Sequence, residues 1–200
     1  HGGLTPANDG ASHQSIEDMG ILRTLPNMTV IMGADYYATR KLIRQAAEYE
    51  GPVYLRFTRD AIPFVYDENV EDGSDVAVIA NGDTVCIAKK ATEILKEKGY
   101  SVRLLDMHTI KPLDVEAVKD CIDTIGKIVT VEDHNIINGL GSAVCEVVAE
   151  AGKGIVKRIG VQDCFGQSAP YENLLDMNGI TAEEIVRSCE ELCSRQGENK

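Results

Sequence analysis

The chain has 200 residues, with 20 Lys and Arg against 32 Asp and Glu and a formal net charge of −12. That balance argues against a nucleic-acid surface, which needs basic patches to meet phosphate, and no apolar run approaches the roughly 18 residues of a membrane-crossing helix. An apolar content of 44% is ordinary for a globular protein, and the length allows one or two domains with real cores.

The N-terminal run His1-Gly-Gly-Leu-Thr-Pro-Ala-Asn-Asp9-Gly10-Ala-Ser-His13-Gln14 packs two imidazoles, a carboxylate and a hydroxyl around glycines. Such a segment makes tight turns rather than core, and its side chains are types that hold and deprotonate small polar ligands. A helix is expected over 14–25, ending before Pro26. A polar loop feeding a helix N-terminus suits an anion or a sugar hydroxyl. A strand over 28–33 follows, then a helix over 35–50 with Asp35 as N-cap and Gly51 as its stop, then a strand over 52–58. Two strands and two helices cannot cover a sheet on both faces, so this unit reads as part of a domain whose remainder lies upstream. The absence of a methionine before His1 is read the same way.

Residues 61–74, with Pro63 and the acidic run from Asp67 to Ser74, read as a linker. The second unit, 75–200, alternates strands at 75–80, 101–106, 127–132 and 155–160 with helices at 83–98, 114–125, 139–152 and 180–194. This is the signature of βαβ units, and the expected class is α/β: three-layer α/β/α around a mainly parallel sheet. The tail 196–200 is expected to fray. Cys86, Cys121, Cys145, Cys164, Cys189 and Cys193 form no Cys-x-x-Cys pair. Cys189 and Cys193 share a face of the last helix without further zinc ligands nearby. All six read as structural thiols in a reducing, cytoplasmic setting.

Four side chains stand out as chemistry-bearing. His13, at the mouth of a helix, can accept and donate a proton near neutral pH. Asp9, in a turn, either bonds its own backbone or accepts from a ligand hydroxyl. Arg59 ends a strand, where open α/β sheets bind ligands, and its guanidinium matches phosphate; the alternative is a solvated arginine paired with Asp60. His1 precedes two glycines at the chain start. Arg56, in mid-strand, reads as an inter-domain ion-pair partner. Glu132, Asp133 and His134 cluster at another strand end before Gly139-Leu-Gly141-Ser142. A Gly-x-Gly at a helix start can cradle phosphate, but a structural or interface role is favoured for the cluster.

Taken together, Asp9-Gly-Ala-Ser-His-Gln14, Leu22-Arg-Thr-Leu-Pro-Asn-Met28, Gly51-Pro-Val-Tyr-Leu-Arg-Phe-Thr-Arg59, His108-Thr-Ile-Lys-Pro-Leu113, the run Val131–Ser142 and Phe165-Gly-Gln-Ser-Ala-Pro170 resemble the pyrimidine-binding and C-terminal domains of transketolases. The resemblance covers nearly the whole chain and is nearest in form to the short C-terminal subunit of split transketolases. It implies that residues 1–60 are the end of a pyrimidine-binding domain and 75–200 a C-terminal domain. It implies transfer of a two-carbon ketol unit from a ketose phosphate to an aldose phosphate in the pentose phosphate pathway. His13 would then shuttle protons at the reacting carbonyl, Asp9 read a substrate hydroxyl, and His1 and Arg59 hold the sugar phosphate. Asn8 stands where the family commonly has glutamate, which alters the charge beside Asp9.

The complete enzyme would use thiamine diphosphate and Mg²⁺, held on another domain through a Gly-Asp-Gly…Asn motif absent here. No cofactor or metal is therefore expected on this chain alone. The implied partners are sugar phosphates and a diphosphate-binding N-terminal subunit or missing N-terminal part, in a homodimer of the complete enzyme. The resemblance also implies that His108, residues 132–134 and Ser168–Pro170 are remote from the chemistry. Two alternatives stay open: a portion of 1-deoxy-xylulose-5-phosphate synthase, which shares Asp-Gly-x-Ser/Thr-His-Gln, and a non-catalytic dimerisation or assembly module. A 2-oxo-acid dehydrogenase β subunit fits less well.

Overall fold

The computed structural model describes residues 1–59, 61–65 and 73–194. Most of the acidic linker and the expected frayed tail lie outside the described residues. Among the described residues there are two sheets. The larger is wholly parallel, in the order β4 (Val102–Asp106), β3 (Val76–Ala80), β6 (Lys127–Asn135), β7 (Ile155–Val161). Its centre is β3, whose five residues are all buried, as an uninterrupted apolar run requires of a strand covered on both faces. Val76, Val78 and Ala80 point into one core with α3 (Thr84–Glu97) and α7 (Ala182–Ser194), through Val85, Ala88, Leu95, Ile185 and Cys189. Ala77 and Ile79 point into the other with α4 (Val115–Thr124) and α5 (Leu140–Ala151), through Val118, Cys121, Leu140 and Val144. The result is the three-layer α/β/α architecture. All six cysteines are free thiols, and burial pushes the Cys189 thiol up to about 12, as expected of a small hydrophobe in a core.

The smaller sheet has the order β2 (Val53–Arg56), β1 (Thr29–Met32), β5 (Thr109–Lys111). β1 and β2 are parallel, joined by α2 (Tyr36–Glu48), where the Asp35 side chain accepts from the Ala38 amide at 2.9 Å. Met19, Val30, Met32 and Ile110 form its buried core. Within this sheet β2 is an edge strand.

Three features differ from the sequence reading. The stretch 14–25 is not one helix: two 3₁₀ turns, Ala7–Asp9 and Ala11–His13, precede extended Gln14, and α1 runs only over Asp18–Arg23. Residues 15 and 16 are taken by tertiary pairing, with the Gly3 amide donating to Ser15 O at 2.7 Å and the Asn135 amide to Ile16 O at 2.8 Å. Strand β5, too short to show a period, leaves the second unit to pair antiparallel with β1. The helix α6 (Tyr171–Met177), opened by Pro170 and anchored by buried Leu174, is likewise too short for a periodicity signal.

Leu95 is fully buried in the α3 layer. Leu95→Ala is expected to cost about 2–5 kcal/mol in chemical unfolding, whereas Ile43→Ala on the exposed side of α2, where Ile43 is 43% accessible, is expected to cost less than about 1 kcal/mol.

Candidate active site

The N-terminal segment is a loop pinched at its base. Gly3 and Ser15 form an antiparallel bridge. Beside it, Leu4 and Ile16 are buried in the core that β3, α3 and α7 share. The Leu4 amide donates to both carboxylate oxygens of Asp133, at 3.0 and 2.9 Å. The two glycines at the base are required by close approach. A Cβ on Gly2 would lie 2.1 Å from Arg56 Nε, and one on Gly3, where φ is +69°, would lie 2.0 Å from Asp133 Oδ2.

The loop leans on the end of β2 through two bonds, with a third inside the loop between them. The Gly2 amide donates to Phe57 O at 2.8 Å, the Thr5 hydroxyl to Gly2 O at 2.8 Å, and the Arg59 amide to Thr5 Oγ1 at 3.2 Å. At the rim, the Arg59 guanidinium pairs with the Asp9 carboxylate, and both side chains remain more than two-fifths exposed. The structure thus brings Arg59 and Asp9 together; His1 is exposed at the start of the chain, next to Gly2, whose amide is held by Phe57 O. His13 stands exposed on the following turn, with Ser12 Oγ 3.1 Å from its Nδ1. Asp60, the alternative partner of Arg59, lies outside the described residues.

Under the rim is a buried ionic network. Arg56 is 2% exposed. Its Nε meets Asp18 Oδ2 at 3.0 Å, and its Nη2 donates to Ser15 O at 2.8 Å and Asp133 O at 2.9 Å. Tyr54 adds a hydroxyl to Asp18 at 2.6 Å. Arg56 therefore ties β2 to β6 and to the loop base; its ion pair, with Asp18, lies within the first unit, and its link to the second unit is to a backbone carbonyl. Asp83, at the entry to α3, takes the hydroxyl of Tyr171. Burial raises the Asp83 and Asp133 carboxyls together, each adding to the other's side-chain surroundings.

Residues from the 132–134 and 168–170 stretches lie against the loop. Asp133 holds the loop base, and the Ser168 hydroxyl donates to Asn8 O at 2.7 Å. Sequence spacing could not show this, because the partners lie 129 and 160 residues apart. The Gly139–Ser142 stretch is not a free phosphate cradle either. Glu132 fills it, accepting from the Leu140 and Gly141 amides at 2.7 and 2.8 Å and capping α5 from within the protein. Among the described residues no cluster of three or more His, Cys, Asp or Glu is arranged to hold a metal.

Glu132 and His134 titrate in opposite senses. Burial pushes Glu132 up to about 7 from an ordinary 4.5. Burial, then the Arg56 charge, lowers His134 to about 4 from an ordinary 6.5. The neutral imidazole fits its bonds, with Nδ1 on Asn135 O and Nε2 taking the Gly20 amide. Between pH 4.5 and 6.5 the folded pair keeps one proton, on Glu132, while the unfolded pair keeps one, on His134. Folding moves the proton without changing the count, so in that window the two shifts cost stability by an amount that does not vary with pH. Glu132→Gln should expose the histidine alone, with stability lost as pH falls from 6.5 towards 4. His134→Gln should expose the glutamate alone, with stability lost as pH rises from 4.5 towards 7. Each change should reach roughly 3 kcal/mol across its window, read by urea unfolding at stepped pH.

Residues 66–185 match the family model of the transketolase C-terminal domain, and residues 1–64 that of the transketolase pyrimidine-binding domain. A protein of Methanocaldococcus jannaschii assigned as a transketolase C-terminal section is 44% identical, over 94% of this chain and 62% of its own length. The 6-deoxy-6-sulfo-D-fructose transketolase subunit SqwH of Clostridium sp. is 36% identical, over 97% of this chain and 63% of its own. A solved split-gene transketolase, described as an inactive beta4 tetramer, superposes with a TM-score of 0.88 at 37% identity, covering 97% of this chain and 65% of that one. The chain thus spans a little over three-fifths of the length of the curated relatives it matches. With a C-terminal-domain match across the three-layer unit and a pyrimidine-domain match across the loop and the smaller sheet, the chain belongs to the transketolase family.

Proposed function

We propose that this chain is the C-terminal part of a transketolase that moves a two-carbon ketol unit from a ketose phosphate to an aldose phosphate. The observation that carries the reading is the pinned loop: it carries Asp9 and His13 on successive turns and brings Asp9 into contact with Arg59, beyond the end of β2. In this reading residues 1–60 close a pyrimidine-binding domain, 61–74 link, and 75–200 form the C-terminal domain, with β5 returning to brace the first sheet.

The roles follow from the chemistry of each group. Arg59, helped by His1, clamps the terminal phosphate, for which a guanidinium offers paired donors. The Asp9–Arg59 ion pair is exposed, so opening it to admit substrate costs about 0–1 kcal/mol. Released from Arg59, Asp9 accepts a hydroxyl beside the transferred unit; a substrate lacking that hydroxyl leaves the carboxylate unmet and is rejected. His13 takes and returns a proton at the reacting hydroxyl, the task an imidazole performs near neutral pH. A relative named for a sulfo-sugar supports the view that the Arg59 end reads a terminal anion.

Members of the family depend on thiamine diphosphate, which supplies the electron sink. Here that cofactor and Mg²⁺ belong to the diphosphate-binding N-terminal subunit or part, and the complete enzyme is a cytoplasmic homodimer.

The test is ketol transfer from xylulose 5-phosphate to ribose 5-phosphate with thiamine diphosphate and Mg²⁺, run with this chain alone and with the N-terminal part added in trans. Activity is expected only in the mixture. Condensation of pyruvate with an aldose phosphate would instead establish the synthase alternative, and tight association without turnover of either substrate the assembly module. In the mixture, His13→Ala should lower kcat by about 10²–10⁴-fold. Arg59→Ala should raise KM for phosphorylated sugars by about ten- to a hundredfold, the range expected for a lost charge-assisted bond. An unchanged KM would contradict the clamp.

A further inference from the structure

The turns that carry Asp9 and His13 are held from above by a segment of the second unit. The Ser168 hydroxyl donates to Asn8 O at 2.7 Å, fixing the peptide group that enters Asp9. One residue earlier, Gln167 O accepts from Gln14 Nε2 at 2.7 Å, fixing the residue that follows His13. Gly166 seats against the same turns so closely that a Cβ there would lie 2.0 Å from Gln14 Oε1 and 3.3 Å from Ala11 Cα. Gly10, at φ +82°, lies under Ser168, with its own missing Cβ 3.5 Å from the Ser168 Cβ. The segment contacts residues 8, 10, 11 and 14, so it flanks both chemistry-bearing side chains and leaves them open to a ligand.

The brace is itself anchored. Ala169 and Tyr171 pack on the core that receives Leu4 and Ile16, and the Tyr171 hydroxyl bonds Asp83. The two short 3₁₀ turns are held internally by single-turn backbone bonds: the Ala7 amide to Leu4 O, Asp9 to Pro6 O, Gly10 to Ala7 O, His13 to Gly10 O and Gln14 to Ala11 O. Their orientation is therefore set from outside, at the pinched base and at this brace.

We propose that Gly166–Ser168 is a positioning element for the substrate loop, and that Ser168 acts on ketol transfer through Asp9. The inference rests on the substrate-reading role given to Asp9 above. A carboxylate that must meet one hydroxyl has little tolerance for rotation of the peptide group before it, since misplacement by a fraction of an ångström weakens a charge-assisted bond steeply. The surface position of Ser168 means that removing its hydroxyl leaves no cavity.

The experiment is a double-mutant cycle in the assembled enzyme, this chain with its diphosphate-binding part, thiamine diphosphate and Mg²⁺. Ser168→Ala should lower kcat/KM about three- to tenfold, the worth of one hydrogen bond. Ser168→Thr, which keeps the hydroxyl, should recover most of it. In an Asp9→Ala background, Ser168→Ala should change kcat/KM by less than about twofold, because the group through which it acts is gone. Melting temperature should be equal for Ser168→Ala and the parent. An equal loss in both backgrounds would show a general structural effect and overturn the inference, as would no loss in the parent. If Asp9→Ala lowers kcat/KM while Ser168→Ala does not, the inference alone fails. If Asp9→Ala is itself neutral, the reading of Asp9 falls and the inference with it.

Discussion

Arg56 carries a full charge at 2% exposure, and the geometry around it sets where the candidate site lies. A guanidinium in that position is costly unless every donor is met. Here Asp18 supplies the counter-charge at Nε, two backbone carbonyls, from the loop base and from β6, take the two Nη2 donors, and Nη1 meets the Met32 sulfur at 3.4 Å. The neighbouring Asp133 and Asp83 reinforce the charge from the other side. Because the fork of a guanidinium is rigid, meeting it fixes three chain segments relative to one another: the edge strand, the loop and the long central strand. Such a network adds little net stability but disfavours any arrangement in which one of the three slips.

The same economy of partners explains the helix-start motif at Gly139. A helix N-terminus offers unpaired amides and partial positive charge, which commonly receive a ligand anion. In this protein a carboxylate from the preceding strand occupies the place, and Gly139 is needed because a Cβ would lie 2.0 Å from Glu132 Oε2. The feature that reads from sequence as a ligand cradle is a splice between β6 and α5, made inside one unit. It leaves the rim above β2 as the place where polar side chains face solvent together.

Elements long enough to show a period were legible in the sequence. The buried run at β3, the amphipathic helices α3 and α7, and the Asp35 cap of α2 all follow from local pattern and local chemistry. What escaped is short or is decided across the chain. The 3₁₀ turns are stabilised by contacts from residues far along the sequence, and β5 has only three residues, paired with a strand some 80 positions earlier. The candidate side chains were legible as types: an arginine at a strand end, an aspartate in a glycine turn. Their meeting was not, because the ion pair joins residues 50 apart through a fold that no local rule specifies. Asp133 was visible as one of three adjacent polar residues. Its task, holding the Leu4 amide, appears only once the loop is folded back.

Arg56, Asp18, Asp133, Leu4, Ile16 and Ser168 all pin the loop or its base. Contacts of this kind draw the loop's conformational entropy from the folding of the chain. A ligand entering at the Asp9–Arg59 rim then has less ordering left to supply, and its own translational and rotational freedom becomes the larger loss.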